Sequence, residues 1–262
     1  TSTDGWDATA TVGASVNFHH NRSVVGQLDG QAWTLGGTAI GELFYQKAGM
    51  HDWRNSLSLL ETFTYGPPVN RFVKSGDQLA FESVYYFRIP SVPYIGPFAR
   101  FRLDTAVFEG TDTRAAPTTW LIAKRDGTTA TFVGNRLKLT DSFSPLTLKE
   151  SIGFFARPIE KDYLEWEFRA GFGSQQVFAE GQRALADDAA TPEIEVNELR
   201  SFVQAGAELG TTLQGKLENN RVAYKVWVDV MTPFFRQKEA GDDRGAFKMT
   251  NVEVGAKVSF KL

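Results

Sequence analysis

Few groups in this chain can do covalent chemistry. Its histidines are His19, His20 and His51, and it has no cysteine. A Ser–His hydrolase needs its hydroxyl and imidazole within hydrogen-bond reach. Ser15 and His19 share a face of an extended segment but stand about 13 Å apart at the strand rise. Asp187, Asp188, Asp242 and Asp243 could bring carboxylates to the level of His19, as an aspartyl-type surface protease requires. Solvated acidic loops that hold divalent cations are the plainer reading. No phosphate loop, dinucleotide fingerprint or metal-ligand spacing occurs. The sequence therefore assigns no catalytic residue, no metal and no cofactor.

What remains is ionic chemistry. Charged residues alternate with apolar ones at Asp7, Glu42, Arg54, Glu82, Arg88, Arg100, Arg102, Asp104, Glu167, Arg169, Arg200, Lys225 and Asp229. Glu165, Glu198, Glu208, Glu253, Lys149 and Lys257 follow the same pattern. The two signs nearly balance. Inside a low-dielectric enclosure such groups must pair or meet water. They would line an ion-selective pore or form a salt-bridged plug. Bulky residues on the same faces, among them Phe44, Tyr86, Phe155 and Trp227, favour the plug.

The elements that carry these charges read as long strands. From Trp6 to Phe18 every even residue is apolar and every odd one is polar or glycine. A strand sends successive side chains to opposite faces, so one face is apolar and the other wet. Trp6 and Phe18 are about 30 Å apart in height at a tilt near 40°, close to the apolar band of a membrane barrel with its aromatic girdles. The same spacing recurs from Trp33 to Tyr45, Trp53 to Tyr65 and Trp166 to Phe178. Further alternating runs centre on Phe81, Leu103, Ile152, Leu209, Val226 and Val254. Connections alternate between short turns and long polar loops, as in outer-membrane barrels, which places both termini on the periplasmic side.

The expected fold is therefore all-β: one antiparallel transmembrane β-barrel of about 10–12 strands over residues 1–262. The count depends on 110–145, which is an extracellular loop carrying a hairpin or an extra pair of wall strands. Asp126-Gly127 signals a type I′ hairpin there. No run of about 18 apolar residues exists, so no transmembrane helix is expected. The chain starts at Thr1 without a leader, which reads as a mature, processed form. A net charge of −3 argues against a nucleic-acid partner.

Two carboxylates interrupt the apolar face. Glu61 lies between Leu59 and Phe63, and Glu150 between Leu148 and Ile152. Either a β-bulge turns each one inward, or the wall there faces another protein.

Several segments resemble one class of bacterial outer-membrane β-barrels. The matching features are Gly5-Trp6 and Asn17-Phe18 in the first strand, Trp33 with Gly36-Gly37, Trp53 with Asn55, and Lys74-Ser75 with Asp77. The likeness covers roughly the first 110 residues. It implies fold and location only, since the function of that class is not established. The C-terminus departs from it, because Phe260 is followed by Lys261 and Leu262.

The resulting expectation is a bacterial outer-membrane barrel that contacts lipid and lipopolysaccharide. It would act as a non-enzymatic anchor or component of an envelope assembly with other envelope proteins. The alternatives are a small-solute channel and, more remotely, a surface hydrolase.

Overall fold

The computed structural model describes residues 4–23, 25, 29–217, 221–237 and 245–260. Asp242, Asp243, Lys261 and Leu262 lie outside them. The strands are β1 (Gly5–Asn21), β2 (Gly30–Lys47), β3 (His51–Tyr65), β4 (Phe72–Phe87), β5 (Ile95–Thr105), β6 (Gly110–Ala123) and β7 (Thr129–Thr140). After them come β8 (Leu146–Lys161), β9 (Leu164–Phe178), β10 (Arg183–Leu185), β11 (Ile194–Glu198), β12 (Phe202–Leu217), β13 (Val222–Arg236) and β14 (Asn251–Phe260). Among the described residues there is no α-helix.

Ten strands form one antiparallel sheet in the order β1-β2-β3-β4-β5-β8-β9-β12-β13-β14. Pairing is continuous from β1 to β14, and among the described residues no ladder joins those two edges. The sheet is deeply curled. Arg157 on β8 reaches Asp52 on β3, and Arg102 on β5 reaches Glu253 on β14. Such contacts between distant strands require the charged face to be concave.

The opposite, convex face is apolar and exposed, with Val12, Ile152, Phe172, Leu209 and Val254 all open to the surroundings. Register aligns its aromatics into rows. Trp6, Tyr45, Trp53 and Tyr85 are successive cross-strand partners near the short-turn end. Phe18, Trp33, Tyr65 and Phe72 are partners at the other end. Ring centroids lie 4.6 Å apart for Trp6–Tyr45 and 4.5 Å for Phe18–Trp33. Around the sheet, Trp166 pairs with Leu213, and Phe178 with Leu146.

Close strand approach sets the curvature. Gly153 and Gly171 are direct partners, and a Cβ on either would fall on the neighbouring strand's backbone. Only glycine leaves room there.

The other four strands form a small sheet, β10-β11-β6-β7, at the long-loop end. The segment 110–145 thus contributes a hairpin to a cap and no strand to the wall. Its turn differs from the two-residue form expected. Lys124 N–H donates to Thr128 O, leaving Arg125, Asp126 and Gly127 in the loop, with Gly127 at φ 83°. The connection from β9 to β12 supplies β10, which lies in a stretch expected as polar loop, and β11, whose Glu198 was expected on the inward face. Strand β11 runs parallel to β6 and buries Ile194 and Val196 against Trp120, Ile122 and Leu137. The two excursions are also tied through Gln182, whose side chain accepts from Asp141 N–H at 2.6 Å and donates to Asp141 Oδ2 at 3.1 Å.

Candidate functional site

The concave face carries the chemistry. Strand alternation places Asp52 and Arg54 on β3, Val84 and Tyr86 on β4, Phe155 and Arg157 on β8, and Glu165, Glu167 and Arg169 on β9. Arg157 is their hub and is fully buried. Its Nε donates to Glu167 Oε2 at 2.7 Å and its Nη1 to Asp52 Oδ2 at 3.0 Å. Its guanidinium lies 4.4 Å from the Tyr86 ring centroid and 5.1 Å from that of Phe155. Tyr86 Oη donates to the other Glu167 oxygen at 2.9 Å. Arg54 doubles the clamp on Asp52, with Nη2 at 2.7 Å from Oδ2. Beside these ions, Val84, Tyr86, Phe98 and Phe155 form a buried hydrophobic cluster.

A second knot centres on Arg100. Its guanidinium meets Glu82 at 3.1 Å, Glu208 at 3.3 Å and Asp229 at 3.5 Å. Arg169 shares Asp229 at 2.9 Å. A third joins Arg102 to Asp104 at 2.8 Å and to Glu253 at 3.0 Å, with Lys149 on Glu253 at 3.2 Å. At the short-turn mouth Arg88 grips Glu160 in a two-pronged pair at 2.5 and 2.6 Å. These pairs repay desolvation more than they add net stability, yet removing one partner strands the other. The network therefore ties β3, β4, β5, β8, β9, β12, β13 and β14 together across the concave face.

Space remains beside this cluster. A cavity of about 410 Å³ is lined by Glu42, Glu82, Arg100, Lys225 and Asp229, among others. Another, of about 790 Å³, opens at the short-turn end. Glu42, Phe44, Glu165, Gln214 and Lys225 line both. Lys225 and Lys257 are cross-strand partners there, and neither has an ion pair among the described residues. Among those residues no three His, Asp or Glu side chains gather as a metal site. His51 Nδ1 lies 2.6 Å from Tyr85 Oη on the convex face.

Most of the residues expected inside lie on the concave face: Glu42, Arg54, Glu82, Arg100, Arg102, Asp104, Glu167, Arg169, Lys225 and Asp229. Asp7 belongs to the same face but sits exposed on the edge strand β1. Arg88 follows the end of β4. Two placements need correction. Arg200 precedes β12, whose first residue is Phe202, and its Nη2 donates to Gln237 O at 3.1 Å. Glu198 belongs to the cap, where it accepts Arg125 N–H at 3.1 Å. The chain had already left the wall at that point to form β10 and β11.

Asp52 and Arg157 were missed. Both lie near strand ends, Asp52 second in β3 and Arg157 just before Pro158 in β8. The available signal was phase: Arg157 continues the inward series of Lys149, Ser151, Gly153 and Phe155.

Glu61 and Glu150 both stay on the convex face. The register shift in β3–β4 lies beyond Glu61, between Thr62 and Phe63, and its extra residue is Ser75 on β4. Glu61 stands opposite Asp77. The segment after β5 meets that strip, since Asp77 accepts the N–H groups of Val107 at 2.7 Å and Phe108 at 2.9 Å. No register shift occurs at Glu150, whose carboxylate accepts from Ser174 Oγ at 2.8 Å.

No family model matches this chain, and neither the curated proteins nor the solved structures yield a match to it.

Proposed function

We propose that this chain is an integral outer-membrane β-barrel, closed by β1 on β14, with a plugged lumen and a non-enzymatic role as anchor or component of an envelope assembly. The convex face supports the membrane reading: an exposed apolar band lies between two aromatic rows held in cross-strand register. Aromatic girdles of that kind settle at the two membrane interfaces. Long loops and the cap mark the external end, so both termini are periplasmic. Lipid and lipopolysaccharide contact the band, and Glu150 offers a polar point on it for another envelope protein. The plug carries the functional reading: Arg157, ion-paired to β3 and β9 over the Tyr86–Phe155 floor, blocks the bore.

Single-channel recording of the detergent-refolded protein in a planar bilayer tests this reading. Silence with verified insertion is the expected result. Steady openings would overturn the plug. The two cavities that share Glu42 and Lys225 favour a small-solute channel as the second reading. In that case charge reversal at Arg100 or Arg102 changes ion selectivity.

A further inference from the structure

A cavity of about 360 Å³ lies on the convex face at the long-loop end. It sits between the ends of β3 and β4 and the segment that leads into the cap. Its lining divides by chemistry. Phe63, Phe72 and Phe108 supply aromatic rings, Arg71, Lys74 and Arg136 supply cations, and Glu109 supplies one carboxylate. Phe72 and Phe108 are about half exposed, at 54% and 49%.

The three cations are not equivalent. Lys74 is fixed in place, with Nζ at 2.5 Å from Asp77 Oδ2 and 2.7 Å from Phe108 O. Asp77 spends its other contacts on the Val107 and Phe108 N–H groups. That pair builds the floor and is internally neutral. Arg136 pairs with Glu109 at 2.6 Å, but both are exposed, and such pairs are worth little. Arg71 is exposed and has no ion pair among the described residues. Two guanidinium groups are therefore available beside three rings.

From this we infer that the cavity binds a membrane lipid with a phosphorylated headgroup. The inference rests on the membrane reading proposed above. A guanidinium fork matches phosphate oxygens in a two-pronged contact. The rings would hold an acyl chain, which free phosphate lacks. The cavity also lies level with the Tyr65–Phe72 row, where the proposed membrane has its outer headgroups. A zwitterionic lipid would lose the net attraction, and an apolar ligand would leave the arginines unused.

The test titrates refolded protein in neutral detergent with lipid A, phosphatidylcholine or inorganic phosphate, read by native mass spectrometry. Lipid A is expected to bind saturably at one site, with the other two probes much weaker. The double substitution Arg71→Gln and Arg136→Gln should weaken lipid A binding about tenfold or more, the scale of losing charge-assisted hydrogen bonds. Phe72→Ala should weaken lipid A without changing the response to phosphate. Equal lipid A affinity in the arginine variant would overturn the inference, and so would phosphate bound as tightly as lipid A. Liposome flotation separates the two levels. If wild type and variant both float yet bind lipid A alike, only this site fails. If neither floats, the membrane reading fails and takes the site with it.

Discussion

Arg157 and Asp52 are 105 positions apart in sequence and meet at 3.0 Å inside the curled sheet. The contact joins β8 to β3, strands separated by β4 and β5 in the sheet. Truncating Arg157 to Ala leaves Asp52 and Glu167 buried with one cation fewer between them. Breaking a buried pair this way costs about 3–5 kcal/mol. Urea unfolding of the refolded protein should register that loss. Adding Glu167→Gln should recover part of it, because Glu167 loses its 2.7 Å partner whereas Asp52 keeps Arg54. An Arg157→Ala protein as stable as wild type would show that the network is not closed in solution.

Gly153 and Gly171 make a different prediction, about curvature. Gly171→Ala places a methyl against Ile152 O on the neighbouring strand. The backbones must separate, at about 1–3 kcal/mol, the usual range for overpacking. Gly49→Ala provides a control in open space, although its φ of 65° adds its own strain. A lower unfolding midpoint for Gly171→Ala with an unchanged m-value would fit tightened packing. No shift would mean the strands can part freely.

The cap should melt by itself. Trp120 is fully buried in a core shared by β6, β7 and β11, and its Nε1 donates to Asp112 at 2.8 Å. Trp120→Ala should cost about 3–5 kcal/mol. Because that core is separate from the Val84–Phe155 cluster, hydrogen exchange should accelerate in 110–140 and 183–198 while β3, β8 and β9 stay protected. Uniform acceleration would show one cooperative unit.

Much of this architecture was legible in the sequence, and the reason is local. Period-two alternation fixes a strand's two faces without reference to its neighbours, so Trp6–Phe18 and Trp53–Tyr65 showed their apolar rows directly. Ten wall strands followed once 110–145 was set apart as an excursion. The cap was not legible, since β11 pairs in parallel with β6 across more than seventy positions and β10 is three residues long. Nor was the hub at Arg157, because alternation says that a side chain points inward and not which distant strand it meets. Glu61 and Glu150 show the opposite limit. Alternation placed both outward: Glu150 is satisfied there by Ser174, while the Glu61 carboxylate is buried without a hydrogen-bond partner among the described residues.

Glu195 gives the cap a dependence on pH. Its carboxylate accepts Asp188 N–H at 2.9 Å and Thr191 Oγ1–H at 2.7 Å. Those bonds hold its pKa below the ordinary value of 4.5, the Asp188 N–H contributing most. A depressed folded value means the stabilisation is complete above the ordinary value and is lost as pH falls through the folded one. Exchange protection of the Asp188 amide should therefore decline on acidification below that range. Glu195→Gln should flatten the profile, and an unchanged slope in that variant would assign the effect elsewhere.

Closure of the proposed barrel is open to direct chemical test because the chain has no cysteine of its own. Its ends are the edges β1 and β14, and an even number of antiparallel strands brings those edges together antiparallel. Closure would also satisfy their backbone groups, which a bilayer cannot do. One cysteine at Ala10 on β1, combined in turn with one at Val252, Val254, Ala256 or Val258 on β14, keeps every probe on the convex face. Disulfide geometry requires Cα atoms within about 7 Å, so a single register should cross-link efficiently and its neighbours poorly. The bridged protein should keep its folded electrophoretic mobility after reduction. If every pair fails in liposome-inserted protein, the two edges do not meet and the seam must be covered by another chain. If all pairs link equally, the edges collide without a fixed register, and closure is again refuted.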